Sequence, residues 1–292
     1  MNKESVFFVP EKIHLEHTFE NGQCFRWRQI TSDHYVGVVE GMVLEIRQAD
    51  DGTLLAPMDA SLFQERFRQY FGFGQRLLER QDALREKDKW LKTAVDYCRG
   101  MTLLKQDPWE TLVTFILSQN NHMARIRSLV EILARLRGRM LPYKGEDPDL
   151  KKEIFYSFPT PKELYGVREE ELRALAFGYR AKYVVDAVQK VLTGEVDLKS
   201  LSALSIDEAR EELKKIRGVG NKVADCVLLF GYGFQEAFPI DVWVNRALMT
   251  FYSEEIREAG SQERFIKEYF QEEAGLAQQM LFHTLRNGGY KC

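Results

Sequence analysis

The 292-residue chain has few cysteines: four, at positions 24, 98, 226 and 292, with no two close enough for a CxxC unit. That spacing argues against a zinc or iron–sulfur site and against a disulfide framework, which points to a reducing compartment. No run reaches the ~18 apolar residues of a membrane span. The opening MNKESVFFVPEKIHLEH lacks the long apolar core and cleavage site of a signal peptide. Excess positive charge is missing too: 41 Lys and Arg stand against 44 Asp and Glu, a net charge of −3. No global basic field advertises a nucleic acid, so a DNA partner would have to be gripped by local patches. Internal repeats and low-complexity linkers are absent. What is present is an ordinary soluble profile, 45% hydrophobic and 29% charged, with length for about two domains.

The first ~70 residues show short alternations broken by turn signals. "CFRWRQI" (24–30), "HYVGVVEG" (34–41) and "MVLEIRQ" (42–48) are expected to form an antiparallel sheet, with "DDGT" (50–53) as a tight turn before another strand. Apolar residues at 62, 63, 67, 70 and 71 then take a helical period. Beyond residue 82 strand signals fade. Asp107 as N-cap and Pro108 at the first helical position open a helix. A second helix follows with Ile126, Leu129, Val130, Ile132 and Leu133 inward and a row of arginines outward. The expectation is an α+β chain: a β-rich N-terminal domain over residues 1–105 and an all-α domain over 106–292.

"KKIRGVGNKVADCVLLFG" (214–231) fits a helix–hairpin–helix. Gly218-Val219-Gly220 makes the turn, and Val223, Ala224, Val227 and Leu228 give the second helix its apolar face. Bare glycine backbone at a helix start allows a phosphate to come close. A plain tight helix connection would look the same. Lys222 stands at that start, where the positive helix end disfavours an ammonium. Partial burial would act in the same direction, and a neutral amine is a nucleophile able to form a Schiff base. A solvated surface lysine or a phosphate contact is the plainer alternative. Nineteen residues on, Asp241 follows Pro239-Ile240 and precedes a helical pattern. Its ordinary role is N-cap. A carboxylate so fixed can also stabilise a developing cation.

The hairpin, Lys222, the Gly/Pro-containing loop and Asp241 together resemble the helix–hairpin–helix–Gly/Pro–Asp DNA glycosylases. "NGQCFRW" (21–27), "SQNNHMARI" (118–126), "FGYRAKYV" (177–184), "GVGNKVADC" (218–226), "FPIDVW" (238–243) and "AGLAQQMLF" (274–282) resemble, in order, one branch: the 8-oxoguanine DNA glycosylase/AP lyases. The resemblance implies a TBP-like N-terminal sheet domain, a flipped-out base, and attack on C1′ by Lys222 with Asp241 stabilising the cationic sugar. It further implies lesion recognition by the Gly22 carbonyl, a sandwich between Cys226 and Phe282, and Gln278 on the Watson–Crick edge. Asn120, Arg125 and Arg180 would read the orphaned cytosine, Tyr179 would wedge into the gap, and Gly218 and Gly220 would serve the DNA backbone. Without the resemblance, Gly22 reads as a turn glycine, Cys226 and Phe282 as core, and Arg125 as part of a solvated face.

The implied partner is damaged double-stranded DNA, bound by a monomer without a membrane. The implied location is cytoplasmic and nucleoid-associated in a prokaryote, nuclear otherwise. No cofactor is required, although in the family the hairpin carbonyls, here Lys214, Ile216 and Val219, can hold a monovalent cation. Two departures stand out: His122 interrupts an asparagine run, and Trp243 replaces a histidine that lies near the lesion phosphate in eukaryotic relatives. An alkylbase glycosylase of the 3-methyladenine type shares the fold but needs no lysine. A non-catalytic helix–hairpin–helix module needs neither Lys222 nor Asp241.

Overall fold

A computed structural model describes residues 6–290, so Cys292 and the first five residues lie outside it. Five antiparallel strands form one sheet in the order β1-β5-β4-β3-β2: β1 (Phe7–Val9), β2 (Trp27–Thr31), β3 (His34–Val39), β4 (Met42–Gln48) and β5 (Thr53–Ala56). Glu40 and Gly41 join β3 to β4 with φ of 48° and 76°, the two positive values a two-residue hairpin turn requires. Helix α1 (Leu15–Phe19) lies between β1 and β2. The helix expected near residues 59–71 forms as α2 (Ala60–Leu62), a π-helical stretch (Phe63–Phe67) and α3 (Arg68–Phe71). Phe63, Phe67 and Phe71 from it fill a core with Phe19, Trp27, Tyr35, Leu44 and Ile46 of the sheet domain.

The remaining chain supplies α4 (Leu77–Arg85), α5 (Lys89–Tyr97), α6 (Pro108–Ser118), α7 (Met123–Arg137), α8 (Glu169–Ala174) and α9 (Ala181–Thr193). It ends with α10 (Ile206–Lys214), α11 (Asn221–Val227), α12 (Val242–Phe251), α13 (Ser253–Ala259), α14 (Gln262–Phe270) and α15 (Ala274–Arg286). Two further cores result. One gathers α6, α7, α9, α10 and α11; the other packs α4 and α5 against α12, α14 and α15.

The helical part is not wholly α. Two-residue strands β6 (Met140–Leu141) and β7 (Phe155–Tyr156) pair with each other. Such short strands carry too little alternation to show in the sequence. Leu141, Leu150 and Phe155 from this segment cover Val36, Val38 and Val43, and Tyr143 donates to Glu45 at 2.8 Å. The sheet is therefore covered on its second face, and β3 is buried along its whole length.

Histidines fasten the two ends of the chain. His17 Nδ1 of α1 lies 2.9 Å from His283 Nε2 of α15, and His14 stacks on His17 at 3.9 Å. The contact needs one N–H and one lone pair, so the two rings cannot both be protonated. Burial pushes His17 and His283 down to about 4. Their stabilisation is complete above the unfolded value of about 6.5 and is lost as pH falls towards 4. Urea midpoints are expected to drop across that window, with a shallower fall in His283→Gln. An identical slope in that variant would remove the histidine pair as the cause.

Candidate active site

Local signals place the helices that carry the candidate site. Asp107 accepts from Glu110 N at 2.8 Å and Pro108 follows at the first helical position, so α6 starts where its cap dictates. Ser205 and Glu208 form a reciprocal capping box that opens α10. Arg210 of α10 then bridges to Asp225 of α11 at 2.8 Å, tying the two hairpin helices together. At the turn Gly218 has φ +81°, and a Cβ there would meet the Tyr183 ring at 2.4 Å. No side chain caps α11 at Gly220, and a Cβ there would meet nothing within 4 Å. The first N–H groups of α11 are left open for an anion. The Ile216 carbonyl accepts from Val219 N at 3.0 Å and keeps its second lone pair.

Lys222, in the first turn of α11, is half-buried with Nζ 5.1 Å from the centre of the Phe115 ring. Phe115 is itself fixed by stacking on Phe230 at 5.5 Å and by an edge contact with Phe25 at 6.3 Å. One turn along α11, burial pushes the Cys226 thiol up to about 11; Lys222 pulls it the other way, and Asp241 adds to the rise. Lys222, Cys226 and Asp241 thus share one electrostatic neighbourhood. Asp241 caps α12, accepting from Val244 N at 2.8 Å.

Helix α15 packs against α12, the helix that Asp241 caps. Gln278 is 4% exposed; its Nε2 donates to the Pro239 carbonyl at 3.0 Å, while its Oε1 is buried without a partner. A buried unpaired acceptor is costly unless a ligand satisfies it. Phe282 lies one turn further, 3.7 Å from where a Cβ on Gly22 would sit, and Met123 Sδ lies 3.8 Å from the same point. The Gly22 backbone, at φ +89°, is held by its neighbours. Gln23 donates to the carbonyls of Thr18 and Thr102 at 2.8 and 2.9 Å, and Gln279 donates to the Asn21 carbonyl at 2.9 Å. Among the described residues nothing donates to the Gly22 carbonyl.

The residues expected to face the second strand gather around the end of α6. Asn120 is exposed in the left-handed region at φ 47°. Arg180 Nε donates to the Gln119 carbonyl at 2.8 Å and Nη2 to that of Asn120 at 2.8 Å. Tyr179, 39% exposed, donates to the Gln119 carbonyl at 3.2 Å, with the Arg180 guanidinium 4.7 Å above its ring. Arg125 donates to the Ala176 carbonyl at 2.9 Å. His122, the departure in the asparagine run, is the N-cap of α7, accepting from Arg125 N at 3.3 Å.

Charge separates these arginines from their neighbours. Arg127, Arg135, Arg137 and Arg139 pair with Glu20, Glu131, Glu171 and Glu163. The arginines on and just after α7 are therefore largely paired with carboxylates. Arg125 and Arg180 meet only carbonyls among the described residues and keep their charge on display. Sequence reasoning passed over Phe115, Met123, Gln23 and Arg286, whose patterns read as core or helix surface. The open hollow bounded by Gln75, Arg76, Arg80, Gln235 and Glu273 contains none of the site residues.

The family model of the 8-oxoguanine DNA glycosylase N-terminal domain matches residues 5–112, and that of HhH-GPD superfamily base excision DNA repair proteins matches 113–272. The N-glycosylase/DNA lyase OGG1 of Arabidopsis thaliana is 30% identical over 93% of this chain and 77% of its own. The Clostridium acetobutylicum 8-oxoguanine glycosylase/lyase was solved with double-stranded DNA containing cytosine opposite 8-oxoguanine. It superposes with a TM-score of 0.86 at 31% identity, covering 99% of this chain and 100% of that one. A complex of MBOgg1 with a low-affinity DNA ligand gives 0.89 at 35% identity, covering 99% and 98%. With both family models matched in series and full-length relatives above 30% identity, the chain belongs to the 8-oxoguanine DNA glycosylases of the HhH-GPD superfamily.

Proposed function

We propose that this DNA glycosylase and AP lyase excises 8-oxoguanine opposite cytosine through a Schiff base on Lys222. The observation that carries this reading is that Lys222 and Asp241 both act on Cys226, while Gln278, bonded to Pro239 two residues before Asp241, keeps a buried oxygen without a partner among the described residues.

The target base must leave the stack, because C1′ is out of reach inside a duplex. 8-Oxoguanine carries a hydrogen on N7 where guanine has a lone pair. The free Gly22 carbonyl accepts from the first and repels the second. Gln278 Oε1 accepts from the N–H groups of the Watson–Crick edge, while Cys226 and Phe282 hold the two faces. The Lys222 nitrogen donates a lone pair to C1′ as the C1′–N9 bond breaks, and the electron pair leaves with the base, which takes up the proton the amine releases. The fixed Asp241 carboxylate stabilises the positive charge on the sugar. Opening of the sugar ring gives the imine. Loss of a C2′ proton then expels the 3′ phosphate and cuts the strand. A monovalent cation on the carbonyls of Lys214, Ile216 and Val219 would brace the hairpin against the DNA backbone. The partner is damaged duplex DNA, and one chain holds every residue this chemistry uses.

Two tests arise here. Arg125, Arg180 and Asn120 match the acceptors and donor of an unpaired cytosine. Excision opposite cytosine is expected to exceed that opposite adenine by about tenfold or more, from the 1–3 kcal/mol that a good base contact discriminates. Strand-nicking rates on duplexes with each opposite base measure it; equal rates would undo the assignment. Gly22→Ala forces a side chain into the left-handed region, at a cost of about 1–3 kcal/mol, and shifts the recognising carbonyl. Selectivity for 8-oxoguanine over guanine is expected to fall about tenfold, with the chain still folded by circular dichroism. Unchanged selectivity would take recognition away from Gly22.

A further inference from the structure

Trp243 brings one N–H but no charge to the position where a lesion phosphate is expected. A cation with no ion pair among the described residues stands on α15, the helix that packs against α12. Arg286 is the last residue of α15, one turn beyond Phe282 and two beyond Gln278. Residues four apart share a helix face, so the three form one stripe down the pocket wall. The Arg286 guanidinium is half-buried, and among the described residues its acceptor is the Met123 sulfur. A thioether is a weak acceptor for a group with five donors. Burial weakens the hold of Arg286 on its proton; Arg127 acts in the same direction, and Glu20 and Asp241 oppose them. The Asp241 effect places Arg286 within electrostatic reach of the carboxylate assigned to the sugar. A partly desolvated cation with no ion pair among the described residues is costly until an anion arrives.

Position selects the anion. Eight residues of α15 separate Gln278 from Arg286, about 12 Å along the helix. That span is comparable to the distance from the Watson–Crick edge of a guanine nucleotide to its own phosphate. With Gln278 on that edge, Arg286 falls where the sugar–phosphate chain leaves the pocket.

We propose that Arg286 grips a backbone phosphate flanking the extruded nucleotide, supplying from α15 the charge that Trp243 cannot supply from α12. The inference rests on the base-binding reading above. Its test uses a duplex with a tetrahydrofuran abasic analogue opposite cytosine, which keeps the flanking phosphates and has no base. That ligand also needs no lysine chemistry, so failure of wild-type trapping on 8-oxoguanine would sink the proposed function while leaving this result interpretable.

Affinity is measured by fluorescence anisotropy across a salt series. Arg286→Met, which keeps the apolar stem, is expected to weaken binding about tenfold at low salt and to flatten the log Kd against log salt slope by about 1. Arg286→Lys is expected to restore the slope. If Arg286→Met fails to fold, Arg286→Gln carries the same measurement. An unchanged slope would overturn the proposal. So would a loss seen with the 8-oxoguanine duplex and absent with the abasic analogue, because the guanidinium would then be reading the base.

Discussion

Lys222→Gln is expected to abolish borohydride-trapped protein–DNA adducts and to slow base excision by on the order of 10³-fold or more. Glutamine keeps the aliphatic stem that lies over Phe115 and the ability to hydrogen-bond near Cys226, but its amide nitrogen has no free lone pair for C1′. The rest of the site is untouched: the Gly22 loop is held by Gln23 and Gln279, and Arg180 and Arg125 are held by the carbonyls of Gln119 and Ala176. Affinity for the 8-oxoguanine duplex should therefore stay within a few-fold of wild type. Loss of trapping together with loss of binding would point to a structural or phosphate-binding lysine. Full trapping would refute the nucleophile.

Asp241→Asn separates two roles held by one side chain. The Asp241 carboxylate caps α12 through Val244 N at 2.8 Å, and asparagine is an equally good N-cap, so the helix should persist. What disappears is the negative charge, which also acts on Cys226 and Arg286. Single-turnover excision is expected to fall about 10²–10³-fold, the scale of losing one preorganised electrostatic partner in a water-poor site. Helicity by circular dichroism should not change. A rate within about twofold of wild type would leave Asp241 a cap and nothing more.

Much of this architecture is readable from local sequence, because its causes are local. Asp107-Pro108 announces α6, Ser205 with Glu208 announces α10, and Gly218-Val219-Gly220 announces the hairpin. Each rests on backbone N–H groups that must be satisfied within a few residues. Alternation likewise exposes β3 and β4, whose two faces meet different surroundings. Long-range features are silent. Leu141, Leu150 and Phe155 read as scattered apolar residues until they cover Val36 and Val38. The arginines of α7 read as a basic face, and only the fold brings Glu20 and Glu171 to pair with two of them. The site behaves in the same way. Lys222 and Asp241 are conspicuous because an amine at a helix start and a cap beside a turn are locally odd. Arg286 looks like an ordinary last-turn arginine until the Met123 sulfur is found to be its acceptor among the described residues.

Peptide mapping of the trapped complex tests the central chemistry most directly. The wild-type protein is incubated with a duplex carrying 8-oxoguanine opposite cytosine, reduced with borohydride, digested with nuclease and protease, and sequenced by mass spectrometry. The expected result is a sugar remnant on the peptide containing Lys222 and on no other. A remnant on a different lysine or on the N-terminal amine, or no adduct from an enzyme that still removes the base, would contradict it.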